Sequence, residues 1–123
     1  MWIKLRTLRK SFHYAWKGLK YTVQNEQNFR LQLIATLVVI ALMVLFRVKQ
    51  WEAIALIFVI CAVLFTEILN TVLERMVDIL QPRLHHYSEI IKDMMAAAVF
   101  LTSSGALLVG IIIFYPYLAR LLT

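Results

Sequence analysis

The sequence predicts an all-α membrane protein, with an N-terminal amphipathic surface helix followed by three transmembrane helices. Three observations predict it. The chain is 62% hydrophobic with a mean hydropathy of +0.76 over 123 residues. A chain this short cannot hide that much apolar surface in its own interior, so lipid must serve as the solvent for the rest. Three Gly and two Pro leave little material for turns, which implies long helices with short connections. Lys4, Arg6, Arg9, Lys10, Lys17, Lys20 and Arg30 all precede the first long apolar run, as expected of a helix lying on an anionic membrane surface.

The elements follow in order. Residues 1–28 read as the surface helix: Leu5, Leu8, Phe12, Ala15 with Trp16, Leu19 and Val23 recur at three- and four-residue steps, and most of the cations fall elsewhere on the wheel. Trp2 and Trp16 suit the headgroup level. The first span is 31–48, at the lower end of the length needed to cross about 30 Å of hydrocarbon. Arg47, Lys49 and Gln50 make a polar turn, closed by Trp51. The second span is 52–77. Its opening half is wholly apolar, its closing half carries Glu67, Asn70, Glu74 and Asp78, and Pro82 ends it because proline cannot donate the next helical hydrogen bond. A polar connector covers 81–93, and 94–118 spans again, with Ser103, Ser104, Gly105 and Gly110 small enough for close helix packing.

The whole of 1–123 reads as a single domain. Cys61 is alone in an apolar run, so neither a disulfide framework nor a thiolate metal site is available. The basic stretch is too long for a signal peptide, and no small-residue cleavage site follows the apolar run. Nucleic acid is a poor partner for a basic segment leading straight into such runs. With the N-terminus inside, ten of the 13 cations lie on the cytoplasmic side and only Arg47, Lys49 and Arg120 outside, which predicts a cytoplasmic N-terminus.

The chemistry concentrates on the second span. At about 100° per residue, Asn70, Glu74 and Asp78 fall near 300°, 340° and 20° relative to Glu67, a stripe about 80° wide. A carboxylate at mid-membrane costs roughly 2.5–3.5 kcal/mol even on the lenient insertion scale. Acids sharing a stripe also repel unless a cation or shared protons intervene. Glu26, at the end of the surface helix, is placed to meet Glu74. Carboxylates with few histidines nearby suit Mg²⁺, which binds through one or two carboxylates plus substrate phosphates. Lys92 adds a point charge for nucleotide phosphates, so metal, cation and base, the requirements of phosphoryl transfer, each have a candidate. The same residues also suit a proton relay or ion site in a transporter, or a membrane assembly protein, with Asn70 as interhelical glue and Lys92 as a flanking cation. There is no GxxxxGK[ST] loop and no protein-kinase motif set. On the residues alone both classes stay open.

The run EILNTVLERMVD, followed after the connector by KDMMAAAV, resembles the prokaryotic diacylglycerol kinase and undecaprenol kinase family, as does the upstream YAWKGLKYTVQNEQNFR. The likeness covers residues 10–118. It implies a trimeric helical bundle in the bacterial cytoplasmic membrane, multi-pass, phosphorylating a lipid alcohol with ATP and Mg²⁺. By the same likeness Glu67 is the catalytic base with Asn70 beside it, and Glu26 and Glu74 hold the metal and with it the nucleotide. Tyr14, His85, Lys92 and Asp93 match ATP-contacting positions, Phe29 and Arg30 lie near the lipid substrate, and Asp78 is a supporting polar residue. Met95, Ala96, Arg83 and Leu84 depart from the family pattern, and Gln32 stands where some members carry an acid. The two histidines of the connector and the ending GIIIFYPYL look like the undecaprenol kinase branch, with diacylglycerol as the alternative acceptor.

Overall fold

A computed structural model describes residues 2–83 and 85–123, so that of the sequence-level departures only Leu84 lies outside it. The described residues form four helices: α1 (Leu5–Asn25), α2 (Gln27–Phe46), α3 (Gln50–Leu80) and α4 (Ser88–Leu122). The last three are long and apolar enough to cross a membrane. This is the all-α membrane architecture expected.

Burial follows the lipid logic. Phe29, Leu56, Val77, Ile113 and Phe114 are buried, while Leu37, Val44, Phe58, Phe100 and Ile112 are all more than half exposed. An apolar surface of this extent on a water-soluble monomer would mark a site of association or aggregation. On three membrane helices it is the face that meets acyl chains or neighbouring helices.

The helices outrun the apolar stretches that mark them in sequence. α2 begins at Gln27 rather than 31, α3 runs from Gln50 to Leu80 rather than 52–77, and α4 takes in Ser88–Asp93 and extends to Leu122. Hydropathy reports only the part facing hydrocarbon. The backbone ladder continues into the headgroup region, and a helix of 35 residues is about 52 Å long, well beyond a core of about 30 Å.

Between α1 and α2 the break is a single residue. Glu26 is extended (φ −118°, ψ 111°), its N–H donates to the Thr22 carbonyl at 2.9 Å, and its own carbonyl accepts from Arg30 N–H at 3.2 Å. The Arg30 guanidinium turns back to donate to the carbonyls of Val23 (2.8 Å) and Gln24 (3.1 Å), which the end of α1 leaves without helical partners. The corner is therefore tied from both sides.

α3 and α4 form an antiparallel hairpin with α2 laid against it. At the end remote from the acidic stripe, Arg47 closes α2 in the left-handed region (φ 49°). Lys49 N–H then donates to Glu52 Oε1 at 2.9 Å, capping α3, and the same carboxylate accepts from the Tyr117 hydroxyl. Tyr117 stacks on Phe46 (5.7 Å between ring centres) and lies under the Arg120 guanidinium. Leu56, Ile113 and Phe114 pack just inside. Further along the hairpin the hydroxyls of Thr66 and Thr102 meet at 2.9 Å.

That hydroxyl pair predicts a coupling of about 0.6 kcal/mol between Thr66→Val and Thr102→Val, with an upper bound of about 1.7 kcal/mol. A double-mutant cycle on unfolding in mixed detergent micelles measures it, and strict additivity would show that the two hydroxyls do not interact.

Candidate active site

The acidic stripe of α3 keeps its register. Glu67 is the extreme case: it is only 1% exposed in a chain whose leucines are largely outside. Its Oε2 accepts a hydrogen bond from Gln32 Nε2 of α2 at 3.2 Å, while its backbone carbonyl accepts from the Thr71 hydroxyl at 3.1 Å. One turn on, Asn70 Nδ2 donates to Glu74 Oε1 at 3.3 Å. Both residues line a small cleft with Leu73 of α3 and Ile91, Lys92 and Met95 of α4. At the end of the stripe, Lys92 Nζ donates to Asp78 Oδ1 at 3.2 Å. The stripe is graded: Glu67 is buried, Asn70 and Glu74 are half-buried, and Asp78 is exposed.

Glu26 belongs to the same region by a different route. The unwound corner between α1 and α2 holds it within electrostatic range of Glu67, as is Glu74. Its hydrogen-bonded partner is a cation: Arg75 Nη2 lies 3.1 Å from Glu26 Oε1, and Arg75 Nε donates to the Tyr21 hydroxyl at 3.3 Å. Adjacent residues of a helix point about 100° apart, so Arg75 reaches α1 while Glu74 turns toward α4. Arg75 thereby clamps the surface helix to the membrane hairpin.

The remaining sequence candidates are placed less centrally. Tyr14 is exposed on α1, its ring beside that of His13. His85 is exposed in the connector against His86, and Asp93 is exposed on the second turn of α4. No hydrogen bond among the described residues joins these three to the stripe. Phe29 is packed in the interior at 1% exposure, and Arg30 caps α1 as described. Met95 takes part in the cleft wall.

Three residues in these side-chain-to-side-chain contacts were not among the sequence candidates: Gln32, Arg75 and Tyr21. Two left a signal. Gln32 is an amide just inside an apolar span, and Arg75 is the lone cation in the closing half of α3, so each called for a polar partner. Tyr21 left none, since its role depends on where α1 lies.

The donor set suits a hard cation bound together with phosphates. Glu26 and Glu74 offer carboxylate oxygens, no histidine or thiolate lies in the stripe, and two carboxylates suffice where nucleotide oxygens and water complete the shell. Among the described residues no group of three His, Cys, Asp or Glu side chains gathers as a self-sufficient metal cage. A buried carboxylate, two more carboxylates within range and a lysine beside them form an arrangement able to accept a hydroxyl proton and to balance phosphate charge.

Comparison with known proteins identifies the family. The family model described as prokaryotic diacylglycerol kinase matches residues 13–114. The diacylglycerol kinase of Synechocystis sp. is 33% identical over 122 residues, covering 98% of this chain and 70% of that protein. The undecaprenol kinase of Bacillus subtilis is 30% identical over 118 residues, covering 94% of each. The diacylglycerol kinase of Escherichia coli K12 is 31% identical over 108 residues, 88% of each. With a match across its surface corner, its acidic stripe and most of α4, the chain belongs to the prokaryotic diacylglycerol kinase family of lipid kinases.

Proposed function

We propose that this protein transfers the γ-phosphoryl group of ATP to the hydroxyl of undecaprenol at the cytoplasmic face of a bacterial membrane. The observation that carries the reading is Glu67, a carboxyl buried within the bundle and held by an amide, at the deep end of a polar stripe that leads out to Lys92. In this reading Glu67 accepts the hydroxyl proton as the lipid oxygen bonds to the γ-phosphorus, and the bond to the β-phosphate oxygen breaks to release ADP. Transfer is direct and in line, without a covalent enzyme intermediate, so the protein contributes positioning and charge stabilisation.

Asn70 orients Glu74. Glu26 and Glu74 would hold Mg²⁺, which when bound neutralises the β- and γ-phosphates of the nucleotide. Lys92, steered by Asp78, supplies a further positive charge to those phosphates. Tyr14, His85 and Asp93 surround the nucleotide from α1, the connector and α4. Phe29 and Arg30, at the root of α2, shape the approach of the lipid. Ten of 13 cations on one side support a cytoplasmic N-terminus, where ATP is. The exposed apolar flanks of α2–α4 suit assembly as a homotrimer.

Undecaprenol is favoured as acceptor by the end-to-end match to the Bacillus subtilis enzyme. Diacylglycerol is the second reading, favoured by the name of the relative at 33% identity. The transporter and assembly readings lose their ground with the family assignment.

Two sets of variants test the roles. Glu67→Gln is expected to lower kcat by about 10²–10⁴-fold, the usual worth of a positioned base, with Mg-ATP affinity and the folded oligomer retained. Turnover near the unsubstituted level would rule Glu67 out as the base. Glu26→Ala and Glu74→Ala are each expected to raise KM for Mg-ATP by about tenfold or more, leaving KM for the lipid close to its original value. An unchanged KM for Mg-ATP in both would remove them from the metal–nucleotide site.

A further inference from the structure

Glu26 and Glu74 are each held by one oxygen. Glu74 Oε1 accepts from Asn70 Nδ2 at 3.3 Å, and Glu26 Oε1 accepts from Arg75 Nη2 at 3.1 Å. Among the described residues, Oε2 of neither carboxylate takes part in a hydrogen bond. The two acids differ in what the chain supplies nearby. Asn70 and Glu74 stand four residues apart on one helix, so their contact comes with the helix itself. Glu26 has no such neighbour. It is the extended residue between α1 and α2 (φ −118°, ψ 111°), and its backbone N–H is spent on the Thr22 carbonyl. A long side chain at such a corner would exchange among several rotamers. What holds it is a residue 49 positions away.

Arg75 is itself aimed. Its Nε donates to the Tyr21 hydroxyl at 3.3 Å, and Tyr21 lies in the last turns of α1 while Glu26 follows its end. Nε and Nη2 form one edge of a planar, rigid fork. Fixing Nε on Tyr21 therefore fixes the direction from which Nη2 meets Glu26. We propose that Arg75 is the positioning residue of Glu26, oriented for that task by Tyr21. The inference rests on the reading of Glu26 as a ligand of the Mg-nucleotide.

Arg75 directly follows Glu74, so a single turn of α3 carries one of the two carboxylates and aims the other. Their relative placement is then set by that turn and by the docking of α1 upon it, not by the corner alone. Groups that orient a metal's ligands contribute substantially to its affinity. With side chains 47% and 19% exposed, the pair aims the carboxylate without locking it, and Oε2 stays open. An arginine that only neutralised Glu26 would act in the opposite sense. Its charge would oppose a divalent cation, and its removal would tighten binding.

The test compares Arg75→Met, Tyr21→Phe, the double variant and the unsubstituted protein in mixed micelles. Methionine keeps an unbranched side chain and loses the guanidinium. Calorimetric titration with Mg²⁺ and the non-transferable analogue AMP-PCP is expected to give a Kd raised about three- to tenfold in Arg75→Met and about twofold in Tyr21→Phe. The double variant is expected to match Arg75→Met, because the hydroxyl acts through the arginine. Without metal or nucleotide, amide exchange across residues 22–30 is expected to quicken in Arg75→Met. KM for the lipid is expected to stay within about twofold of the original, which a general loosening of the fold would not allow. An unchanged or lowered Kd in Arg75→Met, unchanged exchange, full additivity in the double variant, or an equal rise in KM for the lipid would overturn the proposal. Glu26→Ala titrated alongside separates the two levels. If it weakens the analogue while Arg75→Met does not, only the role of Arg75 falls; if it leaves Kd unchanged, the reading beneath falls as well.

Discussion

A carboxyl group inside a membrane helix bundle has few stable situations. It can reach water, pair with a cation, or be held by hydrogen bonds in the protein, and otherwise the cost of charge in hydrocarbon drives it to take up a proton. Glu67 takes the third course: at 1% exposure it is among the most enclosed side chains described, with Gln32 as its side-chain partner. That requirement ties α2 to α3 at a defined height and brings the root of α2, with Phe29, into the interior. The corner at Glu26 must then fall beside the same stretch of α3. Much of the arrangement at this end follows from giving one acid a place.

The two ends of the hairpin are built to different ends. At the remote end, Glu52 accepts from Lys49 N–H and the Tyr117 hydroxyl, and aromatic rings close over it. One of its oxygens, Oε1, takes both bonds and holds the turn. At the other end, each carboxylate is paired more loosely, by one side-chain contact: Glu74 with Asn70, Asp78 with Lys92, Glu26 with Arg75. The two ion pairs are exposed, and side chains so held can exchange the contact for a phosphate or a metal at small cost, since exposed ion pairs are worth little. An acid that anchors a turn and acids lightly held thus distinguish the anchoring end from the end suited to chemistry.

The membrane helices and the acidic stripe were legible in the sequence because each has a period: long apolar runs for the spans, and a three-, four- and four-residue spacing for Glu67, Asn70, Glu74 and Asp78. The contacts between elements were not. Nothing around Glu26 announces a break, since no glycine or proline stands there, and the corner exists because Arg30 reaches back to cap α1. Arg75 sits outside the stripe on the wheel and read only as a cytoplasmic cation, yet it is what holds Glu26. Gln32 read as a substitution in a family pattern, and its meaning depends on a partner 35 positions away. Periodicity describes one helix at a time, whereas a site assembled from three helices and a corner requires knowing which faces meet.

The central claim is that the buried acid and the stripe leading from it make this chain a kinase for a membrane alcohol. The most direct measurement offers the purified protein ATP labelled in the γ-phosphate, with Mg²⁺ and with undecaprenol, diacylglycerol and ceramide side by side in bilayers. The account predicts that label appears on lipid, most rapidly on undecaprenol. Label on none of the three, from protein shown to bind Mg-ATP, would contradict it.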